Sequence, residues 1–139
     1  MKNYTLSQSG GKTTLTIEAG TKAGLVGALL MGVADALGAL PKESDAPKPE
    51  ITGERNFSVK GSDIASTLTK LVETALTFGS YANEAFIEAK LTLVTDGQID
   101  GVFMAIGTGT VKPTLSTVED IKGPEKNDSG KWVATIILA

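Results

Sequence analysis

The segment Ser9-Gly10-Gly11-Lys12-Thr13-Thr14 carries the residue types of a phosphate-binding loop: glycines for close backbone approach to an anion, then a lysine and a hydroxyl. The full pattern needs a further glycine five residues before Gly11, and Leu6 stands there. Such a loop must also open a helix, whose N-terminus receives the phosphate. Alternation over Thr13 to Glu18 predicts a strand instead, so the segment reads as a turn before a strand. Gly107-Thr108-Gly109 starts a dinucleotide fingerprint but lacks the third glycine and the helix, and a strand end or bulge is expected there.

Asp96, Asp100, Glu119 and Asp120 offer the oxygen ligands that a hard cation such as calcium takes. Nothing in their spacing gathers them. Asp96 is explained by a hairpin turn with Gly97. Glu119 and Asp120 are neighbours on an expected strand, which points them to opposite faces. Histidine and cysteine are both absent. That excludes Ser-His-Asp and Cys-His catalysis, zincin motifs, disulfides and thiolate-bound zinc. Acid–base chemistry would fall to carboxylates, lysine or tyrosine. A net charge of −3 and a pI of about 4.9 argue against binding nucleic acid through a basic face. No direct nucleic-acid partner is expected.

The elements that position these residues are legible in outline. The run Ala23 to Leu40 has Asp35 as its one charge. As a membrane span it is short, and a carboxylate near the centre of a span costs about 2.5–3.5 kcal/mol. At helical period Val26, Leu29, Leu30, Val33, Leu37 and Leu40 form one apolar stripe. Gly24, Ala28, Gly32 and Ala36 form a second, of small residues that let a sheet or another helix lie close. A buried helix is expected, capped by Thr21, ended by Gly38 and Pro41, with Asp35 reaching solvent at its exposed edge. No apolar leader occurs in residues 1–20, and a cytoplasmic chain with no membrane contact is expected.

Tyr4 to Leu6 and Thr13 to Glu18 read as strands, the latter with Leu15 and Ile17 on one face. A proline-rich charged loop, Pro41 to Glu54, leads to a strand over Arg55 to Lys60. Helix 2 is expected from about Asp63 to Phe78, with Ser62 as a possible N-cap and Gly79 closing it. Phe86 to Thr95, the turn Asp96-Gly97 and Gln98 to Ile106 form the clearest local signal, a hairpin. Pairing through that turn sets Asp100 opposite Leu93, Val102 opposite Leu91 and Met104 opposite Ala89. Ile87, Ala89, Leu91 and Leu93 would then share a face with Val102, Met104 and Ile106. Thr114 to Ile121 is a further strand, Gly123 to Gly130 a polar turn region, and Lys131 to Leu138 the last strand. Late consecutive strands predict one α+β domain over residues 1–139, two-layered, with two helices on a mainly antiparallel sheet.

This layout resembles the archease family, small proteins that assist tRNA-splicing RNA ligases. The resemblance rests on the strand ending at Gly20 and its alanine-rich helix, on FSVKGSDIASTLTKLVETALTF (Phe57 to Phe78), on ANEAFIEAKLTLVTDGQIDGVFMAIG (Ala82 to Gly107), and on the closing GKWVATIILA (Gly130 to Ala139). Archeases carry a His-Thr-Ala-Asp motif where this chain has roughly Gly11 to Thr14. They carry a Lys-Ala-x-Thr-Tyr-His motif where it has Ser116 to Ile121, and a metal-binding aspartate where it has Ala139. The resemblance implies an RNA ligase as partner and a divalent metal, calcium, as cofactor, with the family's ligands not retained. The candidates left for a metal are Glu119, Asp120 and the C-terminal carboxylate of Ala139. The expected function is a non-catalytic accessory, protein-binding domain of archease type. The second expectation is a small-molecule or metal-binding domain using a groove beside the Gly/Ala stripe.

Overall fold

In a computed structural model, the described residues are 3–38, 50–107 and 117–139. Leu40, Pro41 and most of the proline-rich loop lie outside them, as do Thr108 to Thr110 and Thr114 to Ser116. The described elements run β1 (Tyr4–Ser9), β2 (Lys12–Ala19), α1 (Lys22–Ala36), β3 (Gly53–Lys60), α2 (Ile64–Ala82), β4 (Glu84–Val94), β5 (Gln98–Gly107), β6 (Val118–Lys126) and β7 (Trp132–Leu138). The fold is two-layer α+β, two helices against antiparallel strands. The strands divide into two sheets, ordered β1-β2-β7-β6 and β3-β5-β4.

Gly10 and Gly11 both adopt positive φ, 59° and 78°. That is the backbone of the tightest right-twisted hairpin turn, and it joins β1 to β2 through the pair Ser9 and Lys12. The phosphate-loop look-alike is therefore a turn between two strands. Leu15 and Ile17 point inward from β2 and are fully buried, as are Ala134, Ile136 and Leu138 from β7. Helix α1 packs on β2 of one sheet and β4 of the other. Both of its stripes are consequently covered: Val26, Leu29, Leu30 and Val33 on one side, Ala28 and Gly32 on the other. A helix apolar all round belongs inside. The small stripe seats a side chain of the same chain, since a Cβ on Gly32 would lie 2.5 Å from Leu15 Cδ1. Thr21 caps α1 by accepting from the Gly24 N–H at 3.0 Å. At the other end the Gly38 N–H reaches the Asp35 carbonyl at 2.9 Å.

Helix α2 departs from expectation at both ends. Its N-cap is Asp63, not Ser62, and the Asp63 carboxylate accepts from the Ser66 N–H at 2.8 Å. It runs past Gly79 to Ala82 and is ended by Asn83 at φ 53°. Gly79 serves a close approach instead of a helix end: a Cβ there would sit 2.3 Å from the Glu84 carbonyl oxygen. The start of β4 lies against that turn of the helix.

The β4–β5 pairing begins as expected, with Leu93 opposite Asp100, and then slips. A bulge at Thr92 sets Leu91 against Gly101 and Ala89 against Phe103; a second irregularity follows at Ile87. Each bulge shifts alternation by one residue. Along β5 Ile99, Phe103 and Ala105 are fully buried, and of the expected set Met104 and Ile106 are buried too while Val102 is half-buried. For Phe103 the reason is aromatic. Phe103 stacks on Phe57 at 4.0 Å and on Phe86 at 4.7 Å, and meets Phe78 edge-on at 6.2 Å. All four phenylalanines of the chain thus meet at one point, and such pairs contribute about 0.5–1.5 kcal/mol each beyond burial.

Strand β6 also runs further than the expected polar turn. Gly123 at φ 86° and Pro124 form an irregularity between Lys122 and Glu125, after which pairing with β7 resumes to Lys126. A proline is tolerated because β6 is an edge strand. The turn proper is Asn127 to Gly130, held by the Asn127 carboxamide oxygen accepting from the N–H groups of Ser129 and Lys131, each at 3.0 Å.

Candidate functional site

Glu119 is the extra residue of a bulge in β6, between Val118 opposite Leu138 and Asp120 opposite Ile137. The bulge removes the strict alternation expected of neighbours. Val118 and Ile121 both pack on the core, while Glu119 and Asp120 are both exposed. Glu119 forms an ion pair with Lys12 at 2.7 Å. Ala139 lies one residue beyond β7, and its N–H and oxygen bond the Thr117 backbone at 3.1 and 3.2 Å. Among the described residues, no three acidic side chains gather as a metal site.

The other expected carboxylates are engaged. Asp100 accepts from Ser58 Oγ at 2.6 Å and from Gln98 Nε2 at 2.9 Å. Those bonds, Ser58 first, and the charge of Lys60 hold its carboxyl below the usual range. Asp96 does more than shape a turn, because its carboxylate pairs with Lys22 in the first turn of α1. Lys22 in turn lies 5.2 Å from the centre of the Trp132 ring, and Lys126 lies 5.3 Å from it. The Thr67 hydroxyl, fully buried, sits 2.7 Å from the Asp63 carbonyl and 2.8 Å from that of Asp96. The hairpin tip is thereby fastened to the starts of both helices.

Asp35 does not simply reach solvent. It is half-buried and accepts from the Tyr4 hydroxyl at 2.9 Å. Burial, then the bond to Asp35 and its charge, push the Tyr4 phenol far above its ordinary value. A second pair went unanticipated. Glu84 is 7% exposed, and its Oε2 accepts from Arg55 Nη2 at 3.1 Å. Its Oε1 is buried with no hydrogen-bond partner among the described residues. Arg55 Nη1 is spent on the Glu54 carbonyl. The one local signal for this pair is a carboxylate directly before an apolar run, Ala85-Phe86-Ile87.

The groove expected beside the Gly/Ala stripe is filled by Leu15 and by Ala19, whose Cβ lies 3.0 Å from where a Cβ on Gly24 would be. An open groove lies elsewhere, between β3 and α2, with a volume of about 510 Å³. Val59 and Phe78 contribute its apolar part, Lys60, Lys70 and Glu73 its charges, and Ser58, Thr74 and Thr77 its hydroxyls. The α2 members recur at helical spacing and share one face.

No known family profile matches the chain, and no curated protein matches it. No described helix is long and apolar enough to cross a membrane. Among solved structures, the solution structure of Methanobacterium thermoautotrophicum protein 1598 is similar, with 15% identity and a TM-score of 0.61 over 99% of each chain. At that identity the likeness is one of fold, and it runs the length of both chains.

Proposed function

We propose that this chain is an archease-like accessory domain that acts in the cytoplasm by contact with a protein partner, without catalysis of its own. The resemblance in layout makes a tRNA-splicing RNA ligase the first partner to test. The observation that carries the reading is the use of the charged side chains. Tyr4 with Asp35, Arg55 with Glu84, Lys22 with Asp96 and Lys12 with Glu119 each join separate elements. Groups that fasten elements in this way serve the fold, and recognition falls to surface shape and charge.

The test is multiple-turnover joining of tRNA halves by a purified tRNA-splicing ligase, with and without this chain. An increase in turnover is expected. An unchanged rate across a wide range of added protein overturns the reading.

A further inference from the structure

We propose that this chain pairs with a second copy of itself through β3, the two strands adding edge to edge and antiparallel about a two-fold axis at Phe57. The inference stands apart from the accessory reading, since it needs no ligase.

Strand β3 pairs with β5 on one side and has no other strand neighbour among the described residues. Its ladder runs from Gly53 opposite Ala105 to Lys60 opposite Gln98 without a register shift. The other open edges differ. β4 and β6 are broken by bulges, a device that protects an edge from pairing. β1 carries no charged residue to set a register. The bond from the Gly61 N–H to the Gly97 carbonyl, 3.1 Å, fixes the phase of the β3 ladder. Hydrogen-bonded pairs alternate with non-bonded pairs along an antiparallel ladder. Arg55, Phe57 and Val59 therefore direct their backbone groups to β5, while Glu54, Asn56, Ser58 and Lys60 direct theirs outward. These four residues are exposed.

A two-fold contact sets one position against another and the second against the first. Glu54 against Lys60 of the second copy does this along the whole strand, and sets Asn56 against Ser58. Each pair then occurs twice, outward backbone groups meet outward groups, and opposite charges face each other. Neither Glu54 nor Lys60 is held in an ion pair among the described residues. A shift of two residues in either direction sets Asn56 or Ser58 against its own copy and leaves both charges opposite neutral residues. Cross-strand charge pairs of this kind select a register.

A residue on the axis meets its own copy, so a charge there would repel itself. Phe57 occupies that place on the strand. Helix α2 obeys the same constraint. Gly61 lies against Thr67, and Phe57 reaches Phe78 through Phe103, so α2 runs antiparallel to β3. From Gly61 to Phe57 the strand covers about 13 Å, the rise of about nine helical residues. Thr74 and Thr77, which line the open groove of about 510 Å³ between β3 and α2, are therefore level with the axis, and neither is charged. Lys70 and Glu73 lie one turn apart and offset each other. Arg55 faces Val59 of the second copy with its charge already met by Glu84. Asp100 shares the outer face and accepts from Ser58. Its two copies stand three strand spacings apart, about 14 Å, beyond the screening length at physiological salt.

The test is sedimentation equilibrium of the full chain, carried to about 1 mM because short edge contacts belong to the weak class of interface. A monomer–dimer equilibrium is expected. Glu54→Lys and Lys60→Glu each replace both ion pairs by like-charge contacts and should raise the dimer Kd about tenfold. Both positions are exposed, and circular dichroism confirms the fold of each variant. Mixing the two variants restores both pairs, one copy bearing the lysines and the other the glutamates. The mixture is expected to dimerise as the original chain does, and so is the double variant. Amide signals of Asn56, Ser58 and Lys60 are expected to move with concentration. A chain that stays monomeric overturns the proposal. So does a dimer indifferent to both substitutions, a mixture that associates no better than its components, or amide shifts confined to another face.

Discussion

The Tyr4 hydroxyl donates to Asp35 Oδ2 at 2.9 Å, joining the first strand to the last turn of α1 across 31 positions of sequence. A hydrogen bond to a charged group contributes about 1.5–3 kcal/mol. Tyr4→Phe keeps the ring and removes the donor, so a loss of that order is expected in urea unfolding at pH 7. The pH dependence supplies a second readout. The folded phenol is raised above its unfolded value of about 10. The native state therefore keeps a proton that the unfolded state releases. Stability is fully present below pH about 10 and falls as pH climbs above it. Tyr4→Phe should flatten this alkaline slope. An unchanged slope would mean that another group carries it.

Arg55 and Glu84 pair across β3 and the start of β4, and the carboxylate is by far the more buried of the two. Removing the partner of a buried charge costs about 3–5 kcal/mol, more than the pair is worth relative to neutral replacements. Arg55→Met is expected to be the more damaging single change. Adding Glu84→Gln to it should recover part of the loss, since the stranded charge disappears. Denaturant midpoints for the two single variants and the double variant form the cycle that checks this. Equal losses for Arg55→Met and the double variant would assign the effect to packing.

Local signals fixed the element order and the inward faces of β2, β7 and the Phe57–Val59 part of β3, because period-two burial repeats there. They failed where a contact from outside the segment decided the outcome. The β4–β5 faces follow from Phe103 meeting phenylalanines of β3, α2 and β4, and no hairpin reading contains that. Asp35 looked solvated because Tyr4, its donor, lies far upstream. Glu84 gave no sign of its partner for the same reason. The β3 edge was illegible until the strand order was known, since whether a strand is an edge belongs to the sheet and not to the strand.

The acidic residues singled out for metal binding make a sharp prediction. Glu119 is neutralised by Lys12, Asp120 is exposed beyond the bulge, and the Ala139 backbone is bonded to Thr117. Calcium or manganese added to metal-stripped protein is expected to leave the melting temperature unchanged. A native-state site filled to a hundred times its Kd would add about 2.7 kcal/mol, a shift easily seen. Such a rise, lost in Glu119→Gln, would restore the metal-binding reading.

Gly79 and Gly27 lie within helices, and alanine ordinarily favours a helix over glycine by about 1 kcal/mol. The surroundings of the two differ. A Cβ on Gly27 meets nothing within 4 Å, whereas one on Gly79 falls 2.3 Å from the Glu84 carbonyl oxygen. That oxygen belongs to the backbone of β4, which is paired at that point with Gly107, so it cannot turn aside as a side chain would. Overpacking of this kind costs about 1–3 kcal/mol or more. Gly27→Ala is therefore expected to raise the denaturant midpoint and Gly79→Ala to lower it, although both remove a glycine from a helix. A gain in both variants would show that α2 and β4 separate freely at Gly79, and that the glycine there merely weakens the helix.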